Sequence, residues 1–342
     1  MKYLFADIKK KLRLLKKSNK KKVFYFGNTT KLERSKFYLT DIRQSRNFIY
    51  FGAIVYNDAI AKKIARIIDG KVDFALVDLE KKLLSKSKKE IVNIERAVKD
   101  TLKATKLFTY KGNDLAVQAC ETLVNSLFMD DVRGIGGKKI LILGAGNIGF
   151  KLGIKFVESG AEVFLYRRKK TILKKLSKTI NLILPKGTVA KCHTINNYKK
   201  KLNEFDIIIG TTNGRSLING NDLKKIDKKI IIDVGKGILK KDALNKNTSK
   251  NSNIFRLDAG PAYDGYLENI YTTEKIYNKN ELKIKNIGKY FLVKRGILGK
   301  EGSLIVDNVI KPKLFFGIAD GIGGFKKTNK KKIQFLKKKF LK

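Results

Sequence analysis

The segment Gly144-Ala145-Gly146-Asn147-Ile148-Gly149 constrains this chain more than any other stretch. It follows the apolar run Lys139–Leu143 and opens a helical pattern that ends at Ser159-Gly160, after which a second apolar run, Ala161–Tyr166, begins. Glycines at that spacing, between a strand and a helix, have separate physical duties. Gly144 allows the tight turn, Gly146 lets another molecule approach the backbone, and Gly149 lets helix and strand pack closely. The free N–H groups and the dipole at the helix start favour an anion, so a dinucleotide pyrophosphate is the ligand this geometry predicts. Ala145, Asn147 and Ile148 complete the contacting loop.

From there on, short hydrophobic runs alternate with helical patterns. The runs are Lys139–Leu143, Ala161–Tyr166, Thr188–His193, Asp206–Thr211, Ile230–Val234 and Ile254–Leu257. Six such runs separated by helices predict a doubly wound parallel sheet of the Rossmann type over residues 131–260. Its first residues, 131–137, are a glycine-rich joint, DVRGIGG. Upstream, 23–130 read as a separate α/β domain for substrate and catalysis. Asn57-Asp58 opens a helix that Asp69-Gly70 stops, and Val72–Val77 reads as a buried strand. Ser87-Lys88-Lys89-Glu90 has the form of a capping box, starting a helix with Ile91, Ile94, Val98 and Leu102 on one face. Asn113-Asp114 is the expected cap of another, with Leu115, Ala119, Leu123 and Leu127 buried. The expected fold is therefore α/β, an N-terminal α/β domain followed by a Rossmann domain. Residues 1–22 form a basic N-terminal segment. Residues 261–342 form a C-terminal extension that returns to the first domain or makes a small appendage.

Charge sets the next limits. With 76 Lys+Arg against 31 Asp+Glu the net charge is +45, which invites a nucleic-acid partner. Yet lysines far outnumber arginines and run along the whole chain instead of forming one stripe, so no dedicated nucleic-acid partner is expected. The densest basic stretches, Lys9–Lys22 and Lys326–Lys342, read as solvated helix faces or frayed ends, with a contact to a polyanion or an acidic lipid left open. Two cysteines exclude a disulfide-rich scaffold and a four-cysteine zinc site, and one histidine excludes multi-histidine metal chemistry. The apolar run Phe48–Tyr56 is too short to span a bilayer. A cytoplasmic protein with a small-molecule substrate is expected, and a homodimer is the assembly left open.

The second run of the Rossmann segment ends Tyr166-Arg167-Arg168-Lys169. An NAD enzyme places a carboxylate there for the ribose 2′-hydroxyl, whereas an arginine fork binds a 2′-phosphate. NADP is therefore the expected cofactor, ahead of NAD.

These motifs resemble the two-domain superfamily of shikimate dehydrogenase, glutamyl-tRNA reductase and methylenetetrahydrofolate dehydrogenase, over roughly residues 72–245. Lys139–Gly149 with Tyr166-Arg167-Arg168 is similar to the glycine loop and Asn-Arg-Thr segment of shikimate dehydrogenase, in which the Arg contacts the 2′-phosphate. Phe205–Gly237 is more similar to methylenetetrahydrofolate dehydrogenase. The resemblance implies that the turns Thr211–Gly214 and Asp233–Gly237, with Thr211, Thr212, Asn213, Val234 and Gly235, flank the nicotinamide. Val77-Asp78-Leu79-Glu80-Lys81-Lys82 has the spacing of shikimate dehydrogenase's Val-Thr-Ile-Pro-x-Lys, which implies Lys82 as catalytic lysine. Tyr110-Lys111-Gly112-Asn113-Asp114 lies just before the helix leading to the joint, as that family's Asn-Thr-Asp-Gly does, which implies Asp114 as the substrate-binding aspartate. The chain departs from that family at Glu80, where the family has Pro. It also lacks the Ser-x-Ser-Pro substrate motif, offering Asn28, Thr29, Thr30 and Ser35 in Phe24–Arg46.

Hydride chemistry at a carbonyl needs a proton partner. His193 follows a cofactor-domain strand and reads as structural. A desolvated lysine can serve near neutral pH, because burial disfavours its charged form. Lys82 is the candidate, Lys81 replaces it if the register is off by one, and Lys236 is placed to contact substrate or cofactor. Cys120 falls on an apolar helix face and reads as core, which disfavours glutamyl-tRNA reductase chemistry. Two functions stay open. One is a shikimate dehydrogenase-like NADP-dependent oxidoreductase acting on a small polar, anionic metabolite. The other is a nucleotide-binding or sensing protein without turnover.

Overall fold

The computed structural model describes residues 2–28, 37–80, 92–226, 229–244, 253–277 and 281–341. The chain forms two compact units, Met1–Asp264 and Gly265–Lys342. The first unit holds two sheets. The N-terminal one follows helix α1 (Lys2–Lys16) and uses β1 (Lys21–Gly27), β2 (Phe37–Leu39), β3 (Arg43–Gln44) and β4 (Phe48–Val55). Helix α2 (Asp58–Ile68), β5 (Phe74–Asp78), α3 (Ile94–Lys99), β6 (Lys106–Tyr110) and α4 (Gly112–Leu127) follow. Strands β4, β1, β5 and β6 lie parallel in that order, and β2 and β3 pair antiparallel with β4 at the edge.

Successive side chains of a strand point to opposite faces. Phe24 and Phe26 of β1 thus join Phe51, Ala53, Val55, Ala75 and Val77 on one face, under Ile8, Leu12 and Leu15 of α1 and Ile60, Ile64 and Ile68 of α2. Tyr25 lies between those two phenylalanines and takes the other face. Helix α2 starts as its sequence predicts, with the Asn57 Oδ1 accepting the Ile60 N–H at 2.9 Å. After it, Asp69 accepts the N–H groups of Lys103, Ala104 and Thr105 at 2.8–3.0 Å. Burial pushes this carboxyl up, but the three bonds outweigh it and hold it below its ordinary value.

Two helix starts differ from the sequence reading. The capping box at Ser87–Glu90 lies outside the described residues, and α3 is capped instead by Asn93, whose Oδ1 accepts the Arg96 N–H at 3.1 Å. Helix α4 has no cap from Asn113 or Asp114. The Glu80 Oε2, arriving from the end of β5, accepts the Asn113 N–H at 2.9 Å and takes that role. The buried face of α4 is also rotated: Val117, Cys120 and Val124 are buried with Leu115 and Ala119, and Leu127 is exposed.

The second sheet uses β7 (Lys139–Leu143), β8 (Glu162–Tyr166), β9 (Cys192–Thr194), β10 (Ile207–Gly210), β11 (Ile230–Asp233) and β12 (Asn253–Arg256). All are parallel, in the order β12-β11-β10-β7-β8-β9. This is the Rossmann strand order. Helices α5 (Asn147–Glu158), α6 (Lys170–Ile183) and α7 (Gly220–Lys224) connect the strands, and apolar cores fill both faces. Strands buried on both sides need unbroken apolar runs, which is why Ile207–Ile209 and Ile230–Ile232 carry no polar alternation. The third strand is shorter than Thr188–His193. Ser177 and Asn181 of α6 bond the Cys192 carbonyl and Asn181 also takes its N–H, so side chains do the pairing at this edge.

The boundary between the units falls within α8 (Gly260–Tyr277). The second unit contains β13 (Ile284–Ile287), β14 (Tyr290–Lys294), β15 (Leu304–Val306), β16 (Phe315–Ile318) and α9 (Lys330–Phe340), the strands forming one sheet in chain order. Leu336 and Phe340 of α9 cover Leu292, Leu304 and Val306. The buried Lys294 is satisfied there by Glu281 and the Lys275 carbonyl. No helix among the described residues is long and apolar enough to cross a membrane.

Candidate active site

Crevices open at the carboxyl ends of parallel strands where neighbouring strands send the chain in opposite directions. In the second sheet β7 leads toward β8 and its neighbour β10 toward β11, so the crevice lies between Gly144 and Thr211. In the first sheet β1 leads toward β4 and its neighbour β5 toward β6, so the crevice lies between Gly27 and Asp78. Both crevices open into one cleft.

The glycine loop shows three different reasons for its three glycines. Gly144 has φ 115°, a conformation that disfavours side chains. Gly149 has no room: a Cβ there would meet the Gly144 carbonyl, fall 2.8 Å from the Thr211 Oγ1 and fall 3.1 Å from the Ile142 side chain. Gly146 is the opposite, with no heavy atom within 4 Å of where its Cβ would stand. That open space lies over the start of α5, where no side chain caps the free N–H groups. The close fit at Gly149 carries a prediction. Gly149→Ala should destabilise the fold by about 1–3 kcal/mol, the usual cost of overpacking, seen as a lower midpoint in urea or thermal unfolding. An unchanged midpoint would mean that helix and strand are not in contact there.

A groove of about 460 Å³ runs from this loop past the end of β8. Arg167, Arg168 and Arg215 line it, with Tyr166 and Leu217, and no carboxylate does among the described residues. The Arg167 Nη1 donates to the Ala145 carbonyl at 2.6 Å, which fixes the guanidinium at the rim of the glycine loop. Thr211, Thr212 and Asn213, from the turn after β10, line this groove and also the adjoining cavity of about 580 Å³. The Thr211 Oγ1 donates to the Gly144 carbonyl, tying the two turns together.

The larger cavity lies between the sheets. Asn147 and Ile148 at the start of α5, and Val234, Gly235 and Lys236 after β11, form its wall on the Rossmann side. Asn28 and Asp78, from the ends of β1 and β5, stand on the other, with Tyr25, Tyr38, Tyr110 and Tyr263. Asp78 is buried, and its Oδ1 accepts the N–H groups of Glu80 at 3.0 Å and Gly112 at 3.3 Å. Asn28 donates through Nδ2 to the Glu80 carbonyl at 2.9 Å, and its buried Oδ1 has no partner among the described residues. The Tyr263 ring lies 4.9 Å from that of Tyr25 and 5.1 Å from that of Tyr110. Burial pushes the Tyr25 hydroxyl up to about 12. It also holds Tyr110 and Tyr263 well above the ordinary tyrosine value, with the charge of Asp78 adding to both. These hydroxyls therefore keep their protons at any physiological pH.

All the expected cofactor residues except Gly149 line one cavity or the other, and Gly149 packs behind the loop. Asp114 lies elsewhere: on the first turn of α4 it pairs with Lys151 of α5 and lines neither cavity. Lys81 and Lys82 lie outside the described residues. His193 pairs with Glu162 at 2.5 Å and stacks on Phe164 at the far edge of the sheet. Cys120 is fully buried in the Rossmann-side core, and burial pushes its thiol up to about 12, so it supplies no thiolate. The sequence reading missed Arg215, visible only as a third basic residue beside the turn Thr211–Gly214. It also missed Asp78 and the tyrosines, which come from separate elements of the first sheet and from α8.

No protein-family model and no curated protein matches the chain. Among solved structures, a glutamate dehydrogenase from Thermus thermophilus is 10% identical with a TM-score of 0.43, over 74% of this chain and 70% of that one. A dipicolinate synthase chain from Bacillus halodurans is 13% identical with a TM-score of 0.34, over 73% and 97%. The glutamyl-tRNA reductase from Methanopyrus kandleri is 16% identical with a TM-score of 0.33, over 48% and 40%. These are likenesses of fold alone.

Proposed function

We propose that the chain is an NADP-dependent oxidoreductase acting on a small polar metabolite in the cleft between its two parallel sheets. The observation that carries this reading is the continuity of the two cavities through Thr211–Asn213. One half suits a polyanionic nucleotide and the other a polar small molecule. The donor set fits the cofactor: open backbone at Gly146, uncapped N–H groups of α5, and three arginines with no acid beside them among the described lining residues. The turns at Thr211–Asn213 and Val234–Gly235 would hold its nicotinamide. When bound, NADP(H) supplies the hydride acceptor or donor.

The chain's own residues supply the rest. Asp78, fixed by two backbone donors, orients the reacting molecule, while the protonated tyrosines donate hydrogen bonds and shield the site from water. Lys82, four residues beyond Asp78, is the proton-exchange group in this reading. Asp78 replaces Asp114 as substrate-orienting carboxylate, since Asp114 is engaged by Lys151.

Titration calorimetry with NADP and NAD tests the reading. A charge-assisted bond from Arg167 or Arg168 to the 2′-phosphate is worth about 1.5–3 kcal/mol, so NADP should bind at least about tenfold more tightly than NAD. Arg167→Ala/Arg168→Ala should erase that preference, and Arg215→Ala should reduce it. Equal affinities in the parent, or an undiminished preference in the double variant, would contradict the assignment.

A further inference from the structure

We propose that the substrate of this cleft is a small zwitterion of the amino-acid type, its ammonium held at Asp78 and its carboxylate at Lys236 on the facing wall. This rests on the oxidoreductase reading and names the substrate class of the same site. The two halves of the cleft differ in charge. The groove beside the glycine loop carries three arginines and no acid among its described lining residues, as a polyanion site would. The cavity between the sheets carries one carboxylate, Asp78, and one ammonium, Lys236, among its described lining residues. In a chain with 76 basic and 31 acidic residues, one charge of each sign among those described residues stands against the general excess. A ligand with one charge of each sign complements the cavity.

The surroundings of each group point the same way. Asp78 is 3% exposed and is aimed by the N–H groups of Glu80 and Gly112. Beside it stand Tyr110, its register partner on β6, and the rings of Tyr263 and Tyr25. An ammonium gains from a carboxylate and from neutral aromatic faces together, and a second carboxylate on the ligand would be repelled there.

Lys236 is the sole non-glycine residue with positive φ among the described residues, at 64°. Its neighbours fix it so. A Cβ on Gly235 would fall 2.8 Å from the Thr212 nitrogen, and the Gly237 N–H is tied to the Asp233 Oδ2 at 2.7 Å. Glycine would suit the backbone better at 236, yet a lysine holds this strained position on the cavity lining.

The test uses the full chain with saturating NADP. Affinities are measured by calorimetry for the protein-forming amino acids and ornithine, each beside the 2-hydroxy acid of the same carbon skeleton. At least one amino acid should bind, with its hydroxy acid at least about tenfold weaker. Asp78→Asn and Lys236→Met should each weaken that amino acid by a similar factor and leave NADP affinity unchanged. Lys236→Gly should lose the amino acid while its thermal midpoint stays at or above that of the parent, which separates lost recognition from lost folding. Hydroxy acids binding as well as amino acids, or undiminished affinity in Asp78→Asn and Lys236→Gly, would overturn the zwitterion. NADP binding with no amino acid binding would overturn it too and leave the oxidoreductase standing. A parent chain that does not bind NADP would overturn the reading beneath it.

Discussion

Gly146→Val is expected to abolish dinucleotide binding while leaving the fold intact. The backbone of residue 146 is extended with negative φ, at −96°, and a Cβ there meets no described heavy atom within 4 Å beyond its own chain neighbours. The valine side chain therefore starts in open space and projects over the start of α5, where a pyrophosphate would sit. A loss of at least about 100-fold in NADP affinity, roughly 2.7 kcal/mol, should accompany an unchanged thermal midpoint. Gly149→Ala, three residues on, should do the reverse and damage stability first. Retained NADP binding in Gly146→Val would place the pyrophosphate elsewhere.

The second large effect concerns the proton. Lys82→Met should lower kcat by about 10²–10⁴-fold, the usual contribution of positioned proton transfer, with NADP affinity nearly unchanged. Steady-state rates and a parallel NADP titration of the same variant check both halves. Full turnover in Lys82→Met would move the role to Lys81, and full turnover in both variants would remove a lysine from the chemistry.

The parts of this molecule that were legible in its sequence are those fixed by local rules. The β7–α5–β8 unit follows from a glycine spacing and two apolar runs, and the central strands follow because burial on both faces demands Ile207–Ile209 and Ile230–Ile232. The arginines at 167 and 168 stand just beyond the end of β8 and line the groove beside the glycine loop, as their place in the sequence suggested. Features made by distant residues were not legible. The cap of α4 comes from Glu80, the edge strand β9 is set by side chains of α6, and the tyrosine wall joins β1, β6 and the start of α8. Asp114 follows the spacing of the resembled family, but the rotation of α4 turns it toward Lys151. No periodicity records which way a helix faces once a neighbour such as α5 supplies a counter-charge.

A crystal structure with NADP bound tests the central claim most directly. The pyrophosphate should lie over Gly144–Asn147 and the 2′-phosphate among Arg167, Arg168 and Arg215. The nicotinamide should lie between the turns at Thr211–Asn213 and Val234–Gly235, facing Asp78 across the cleft. A dinucleotide bound in any other direction, or with its nicotinamide outside the cavity between the sheets, would contradict it.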